Sequence, residues 1–368
     1  MRHKSSGSRL LHTVVAVAFI GVWALSLIGA PPTDADMLVP FPHPKGYVCH
    51  RTISPITIDG TITNAEWGSV PWTDPFVDIE GDKQPKPRFQ TRVKMLWDDE
   101  ALYVAAELEE PHVWATLKEH DSIIFYDNDF ELFLDPDGDN HLYAELEVNA
   151  HNTTWDLLLP KPYKDLAKAV NAWEISGLKT AIKVHGTLND PRDKDTGWSI
   201  EVRWPWAGLK ELATVAMPPK DGDQWRINFS RVEWDIDIVD GKYQKVPKKP
   251  EYNWVWSQQG VIDMHRPERW GYLQFSTGKT GKAEFRPDAE WDTRDLLHRT
   301  YYAQRAYKKA NGRYATAMSD LGLKDKIAAQ LTLDACRTAF EASVSLPTEN
   351  GAKPKRMAIS QDSKLVKE

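Results

Sequence analysis

Cysteine is nearly absent: the 368 residues contain two, Cys49 and Cys336. Two thiols so far apart cannot form the disulfide framework of a small secreted scaffold, and without Cys-x-x-Cys spacing neither a thiol-redox centre nor a zinc knuckle is expected. A single bridge between them stays open in an oxidising compartment. A basic excess is also missing, since 46 Lys and Arg face 53 Asp and Glu for a net charge of −7. That excludes a general nucleic-acid binder, whose phosphate contacts require a basic face. There is no Gly-x-Ser-x-Gly elbow and no His-Glu-x-x-His motif, which removes two large classes of hydrolase. Long helical periodicity is scarce before Trp291, and a long uncharged apolar run occurs once, from Leu10 to Ala30.

That run follows Arg2, His3, Lys4 and Arg9, the order of a basic region and an apolar region in a secretion signal. Its length also suits a membrane-spanning helix. Residues 1–36 are therefore expected to be a cleaved signal or a retained anchor, and the rest of the chain to be exported to the periplasm, cell surface or medium. No Cys follows the run closely, which argues against a lipoprotein. Pro40, Pro42 and Pro44 mark residues 37–48 as an extended linker.

Tryptophan is abundant instead. Nearly all of the 16 Trp lie between Trp67 and Trp291, and most are assigned to a β core, where indoles provide large contacts. Period-two alternation recurs through this stretch. Val93, Met95 and Trp97 alternate with Arg92, Lys94 and Leu96, and further strands are expected at Ala181–Val184, Gly197–Arg203, Gln224–Val232, Asn253–Ser257 and Gly271–Phe275. Many short strands between Pro, Gly and Asp turns point to a mainly β, antiparallel two-sheet sandwich over residues 49–277. Asn64 to Trp72 allows one helical turn seating Trp67 and Trp72.

The segment from Asp121 to Asp156 is the most informative. Phe130, Leu132 and Leu134 alternate with Asp129, Glu131 and Phe133. After the turn, Leu142, Ala144, Leu146 and Val148 alternate with Tyr143, Glu145, Glu147 and Asn149. One set belongs to the core and the acidic set to an open sheet face. Between the strands, Asp135, Asp137 and Asp139 place alternate carboxylates on a turn, the all-oxygen donor set that calcium takes. The distal Glu and flanking helices of an EF-hand are missing, so a solvated acidic turn is the other reading.

The stretch DNDFELFLDPDGDNHLYAELEVNA, preceded by PITIDGTITNAEWGSVPW and VKMLWDDEALYVAAEL and followed by HRPERWGYLQF, resembles the family 9 carbohydrate-binding modules and their looser relatives in secreted bacterial proteins. The resemblance covers Cys49 to Ser276. It implies a jelly-roll-like sandwich, structural calcium and a saccharide or polysaccharide ligand. Glu131 falls where those modules place a ligand-contacting Glu. Their stacking Trp six residues earlier is replaced by Phe125, with Tyr126 adjacent and Asn128 between it and Glu131. Their second stacking Trp falls near Met264 and their ligand-binding Arg at Glu147, so the two-Trp clamp is not visible. Trp256, His265 and Arg266 offer a different site around the same face.

Three other roles are weighed. Asp129, Glu131, Glu145 and Glu147 share a face, as the acids of a glycoside hydrolase must, although any acidic hairpin gives that arrangement. Fold analogy adds a haem reading through His265 with Met264 or Met95. The third role is a structural envelope protein without ligand. After Gly278–Lys282 the composition shifts, and residues 285–368 are expected to form a small α+β appendage. Its helix spans Trp291 to Leu323, with Leu297, Tyr301, Gln304 and Tyr307 at helical spacing and Asn311-Gly312 as a stop. Two or three strands are expected to follow. YYAQRAYKKANGRYA resembles the long-helix segment of type IV pilin-like proteins but lacks its apolar membrane part, so the appendage is expected to dock on the main domain or to engage an envelope or enzyme partner. The expectation for the whole is a non-catalytic, exported carbohydrate-binding protein.

Overall fold

Alternation of apolar and polar residues produces strands along most of the chain. The computed structural model describes residues 37–323, 330–347 and 355–368. In order these form β1 (Gly46–Arg51), the single helical turn α1 (Ala65–Gly68), β2 (Val77–Asp78), β3 (Thr91–Trp97), β4 (Ala101–Glu109), β5 (Asp129–Asp135), β6 (Tyr143–Asn149), β7 (Thr154–Leu159), β8 (Lys179–His185) and β9 (Gly197–Pro205). There follow β10 (Gln224–Glu233), β11 (Ile236–Val239), β12 (Lys242–Lys245), β13 (Tyr252–Val255), β14 (Gly271–Ser276) and α2 (Trp291–Asn311), then β15 (Leu331–Ala335), β16 (Phe340–Leu346), β17 (Lys355–Ser360) and β18 (Leu365–Lys367). The expected secretion signal or anchor, Leu10 to Ala30, lies outside the described residues. Among the described residues no helix is long and apolar enough to cross a membrane.

One continuous sheet runs β7-β6-β5-β10-β14-β1-β3-β4-β9-β8, with β13 pairing β10 and leading to β2. Its pairs are antiparallel except at β1, which joins β14 and β3 in parallel and so links the two halves. The halves close on one core. Phe130, Leu132 and Leu134 from β5 and Trp225, Ile227 and Phe229 from β10 meet Val93, Met95 and Trp97 from β3 and Trp198, Ile200, Val202 and Trp204 from β9. Each side chain of this size contributes roughly 1.5–3 kcal/mol by leaving water. The result is a two-layer β-sandwich, as the alternation implies. Of the Trp from Trp67 to Trp291, only Trp72, Trp155 and Trp234 fall short of full burial. Cys49 is buried, Cys336 is exposed, and both are free thiols.

The acidic side of β5 and β6 departs from expectation. It is not an open face, because Phe133, Tyr143, Leu157, Leu159 and Val255 form a second apolar cluster there with Ile79, Met264 and Trp270. Side chains from the segment between β13 and β14 roof the sheet, so every residue of β5 and β6 is buried on whichever side it points.

The carboxyl-terminal unit is a helix laid on a four-stranded antiparallel sheet, β15-β16-β17-β18. Leu296, Leu297 and Tyr301 of α2 pack on Phe340, Val344, Met357 and Ile359. The helix stops at Asn311, the expected Asn311-Gly312 stop, where Gly312 at φ 69° caps it in the left-handed region and donates to the Lys308 carbonyl. This unit is seated on the sandwich. Tyr301 Oη donates to Asp165 Oδ1 (2.5 Å), Ser363 Oγ to Asp165 Oδ2 (2.7 Å), and Asn140 Nδ2 to the Ser363 carbonyl (2.8 Å). The Pro-rich segment is part of the same junction, with Met37 buried and Arg269 over the Phe41 ring at 3.5 Å.

Candidate functional site

Register brings the acids together. Across the sheet Ser230 pairs with Glu131, Glu131 with Glu147, and Glu147 with Trp155. Directly opposed carboxylates cost stability in a sheet. This row forms the floor of a pocket of about 270 Å³ on the outer face of β5, β6 and β7. Phe125, Trp155 and Tyr163 stand at its edge, and Glu145, Glu251, Asn253, Asp263 and His265 complete its polar lining. The backbone N–H of Phe125 donates to Glu147 Oε2 at 2.9 Å, fixing the edge to the floor. The Tyr143 hydroxyl and His265 Nδ1 share a hydrogen bond of 3.0 Å, which orients the imidazole with Nε2 at 4.0 Å from Glu145 Oε2.

The floor is electrostatically strained. Burial raises Glu131 to about 7. Burial first, and then mutual repulsion, pushes Asp129, Glu145 and Glu147 well above the usual carboxylate range. Asp129 Oδ2 and Glu145 Oε2 are buried without a hydrogen-bond partner. Burial also lowers His265 to about 4, so it faces these acids as a neutral ring. Unpaired acceptors of this kind cost free energy until a donor or a cation reaches them.

The family model described as carbohydrate family 9 binding domain-like matches residues 58–273. The chain belongs to that family. Solved structures similar in fold include a carbohydrate binding module family 9 from Caldicellulosiruptor kristjanssonii in complex with cellotriose, at 18% identity over 66% of this chain and 100% of that one, with a TM-score of 0.40. The same module in complex with glucose gives 18%, 66%, 100% and 0.41. A candidate carbohydrate-binding protein from Bacteroides uniformis gives 14% identity, 63% and 100% coverage and a TM-score of 0.47. No protein with a curated description matches.

Within this family 9-like domain, Phe125, Glu131, Glu147 and His265 line one pocket, with Met264 beside them. Tyr126 adjoins Phe125, with ring centroids 4.9 Å apart, and is 50% exposed outside the pocket lining. The other residues picked from the sequence sit elsewhere. Trp256 is in the sandwich core against Phe229, so close to β14 that a Cβ on Gly271 would stand 2.3 Å from its ring, and it offers no face to a ligand. Asn128 is buried among Glu110, Glu233 and Arg231, donating to Glu110 Oε2 (3.1 Å) and Glu233 Oε2 (3.0 Å). Arg266 turns toward the appendage and donates to the Tyr302 hydroxyl at 2.6 Å. Met95 belongs to the sandwich core, whereas His265 lines the outer pocket, so those two cannot act as one axial pair.

Asp135, Asp137 and Asp139 converge, with one oxygen of each within 4.8 Å of the others. Asp135 is buried and accepts from the backbone N–H groups of Gly138 (2.9 Å) and Asn140 (3.0 Å), with Gly138 at φ 65° making the turn. Burial, then Asp137 and Asp139, pushes Asp135 up. The Lys364 ammonium reaches Asp139 at 3.2 Å, and the Asp139 carbonyl accepts from the Leu365 backbone N–H, so the appendage rests on this turn.

Trp155, Tyr163 and Asp263 were not singled out by motif. For Trp155 the signal was present. Trp155, Leu157 and Leu159 repeat at period two one hairpin after Glu145 and Glu147, which puts an indole on the same face. Tyr163 sits in a short turn, Tyr163–Asp165, and Asp263 in an irregular loop, where no periodicity marks them.

Proposed function

We propose that this family 9-like domain is a non-catalytic saccharide-binding module whose site is the pocket over Glu131 and Glu147. The observation that carries this reading is the meeting, in one pocket, of the rings of Phe125, Trp155 and Tyr163 with the buried carboxylates of Glu131, Glu145 and Glu147, of which Glu145 Oε2 lacks a donor. A sugar ring presents apolar C–H faces to an aromatic edge and hydroxyl donors to acceptors below. Stacking and charge-assisted hydrogen bonds then act on the same ring. Glu131 and Glu147 would accept hydroxyl protons, and neutral His265 would supply or receive one more.

Calcium fits the turn on the opposite end of the hairpin. Three converging carboxylates supply hard oxygen donors, and their mutual repulsion is the strain that a divalent cation relieves. Asp135, Asp137 and Asp139 would hold the ion, which would brace the turn against the appendage without entering any chemistry. The basic and apolar segments before residue 36 support export, which places the pocket where polysaccharide is met. The appendage contributes Tyr302 and Ser363 to the junction and leaves the pocket open, consistent with docking or with engaging an envelope or enzyme partner.

The test is binding of the purified chain to a broad glycan panel, with calcium and again with chelator. The expected result is saturable binding to one sugar class, weakened by Trp155→Ala and by Glu131→Ala. A flat panel in both conditions would overturn the proposal, and hydrolysis lost in Glu131→Gln would replace it with an enzyme.

A further inference from the structure

The charge of the pocket says more than that a sugar binds there. Its acids come from four segments: Glu131 on β5, Glu145 and Glu147 on β6, Glu251 ahead of β13, and Asp263 in the loop behind it. Among the described residues that line it there is no Lys and no Arg. Elsewhere in this chain buried acids have cations within reach: Glu110 and Glu233 share Arg231 (2.7 and 2.8 Å), and Glu268 has Lys164 (3.2 Å). Within the pocket Asp263 has Arg266 (3.0 Å) from outside the lining, whereas Glu131, Glu145 and Glu147 form no ion pair with a Lys or Arg among the described residues. Glu145 lines the pocket, and its buried Oε2 receives no hydrogen bond. The aromatic rings at the edge add attraction for a cation, because an ammonium is drawn to the negative face of an aromatic ring.

Resting on the saccharide reading above, we infer that the ligand is a cationic sugar, an amino sugar with a free ammonium group, whose charge is seated over Glu145 and Glu147 while its ring stacks on the aromatic edge. A neutral sugar supplies hydroxyl donors but leaves Glu131, Glu145 and Glu147 without a countercharge. An N-acetylated sugar removes the charge and adds bulk. The pocket volume of about 270 Å³ suits one sugar residue with its neighbours outside.

Isothermal titration of the full chain at neutral pH with three β-1,4-linked trimers isolates the charge: glucosamine trimer, its N-acetylated form and cellotriose. The glucosamine trimer is expected to bind at least about tenfold tighter than cellotriose, with the preference falling as salt is raised through the screening range. Glu145→Gln, isosteric and expected to fold, should reduce the glucosamine affinity to the level of cellotriose. Equal or tighter binding of a neutral trimer overturns this inference and leaves the saccharide reading standing. Binding of none overturns both. Heat on titrating calcium or magnesium alone that vanishes in Glu145→Gln would give the acids to a metal and also overturn the inference.

Discussion

Glu145 and Glu268 approach His265 from two sides, one at its ring and the other through Lys164, which reaches the His265 carbonyl at 3.5 Å. Both are about as buried, at 4% and 5% exposure. Burial alone would raise both, yet Lys164, His298 and Arg266 hold Glu268 far below the usual range, while burial and then the Glu131 carboxylate drive Glu145 above it. Glu268 also accepts from the Tyr302 hydroxyl of α2, and this bond joins the sandwich to the appendage while Lys164 pairs with the same carboxylate from within the sandwich. The difference separates structure from function: a paired buried charge fixes a junction, whereas an unpaired one is a cost the fold carries where a ligand completes the set.

The largest effect should come from breaking the paired side. Lys164→Met leaves Glu268 buried without its nearest cation and should cost about 3–5 kcal/mol, read as a large fall in Tm and in the denaturant midpoint. The unpaired side should respond in the opposite direction. Glu145→Gln removes a strained charge and should stabilise by on the order of 1–3 kcal/mol at pH 8, with a rise in Tm even as ligand binding falls.

The pH profile sharpens the contrast. A carboxyl whose folded value lies above its unfolded one holds its proton more tightly in the folded state, so stability declines as pH rises from the unfolded value towards the folded one. For Glu131 that window runs from its ordinary value of 4.5 to about 7. Asp129, Glu145 and Glu147 add in the same sense, facing Asp263, Glu251 and neutral His265. Glu110, raised to about 8 by burial and Glu233, acts likewise, so the difference between wild type and Glu145→Gln isolates the pocket. That difference in Tm should be small at pH 5 and grow towards pH 8. Glu268 behaves oppositely: its contribution is full above its ordinary carboxylate value and fades only in strong acid.

Smaller effects concern the ligands. Trp155→Ala should weaken saccharide binding by roughly tenfold, the worth of one stacked ring, while leaving the fold intact by circular dichroism. Calcium should raise Tm by a few degrees in wild type and by nothing in Asp137→Asn, since an ion bound only by the folded state stabilises it by mass action. Tyr126→Ala, outside the pocket lining, should change binding less than about twofold.

Alternation made the sandwich readable from sequence. The five strand segments expected between Ala181 and Phe275 all overlap β8, β9, β10, β13 and β14, differing mainly at their ends. Among the described residues the carboxyl-terminal strands number four against an expectation of two or three, because β18 is only three residues long. Periodicity told which residues share a face and nothing of what covers that face. Alternation alone leaves the acidic set open, whereas Met264 and Trp270 close over it from a loop with no repeat. Trp256 and Arg266 look available in sequence because burial by distant segments leaves no local mark. Glu131 and Glu147 were legible as a pair, and their cross-strand contact follows from the length of the turn between them.

The central claim, that the pocket over Glu131 and Glu147 takes the sugar, is tested most directly by following the indole N–H signals of 15N-tryptophan-labelled protein during a saccharide titration. Trp155 Nε1 has no hydrogen-bond partner and lies at the pocket edge, so its signal should move saturably while those of core indoles such as Trp204 and Trp225 stay fixed. Saturable binding with the Trp155 signal unmoved would place the ligand elsewhere and contradict the account.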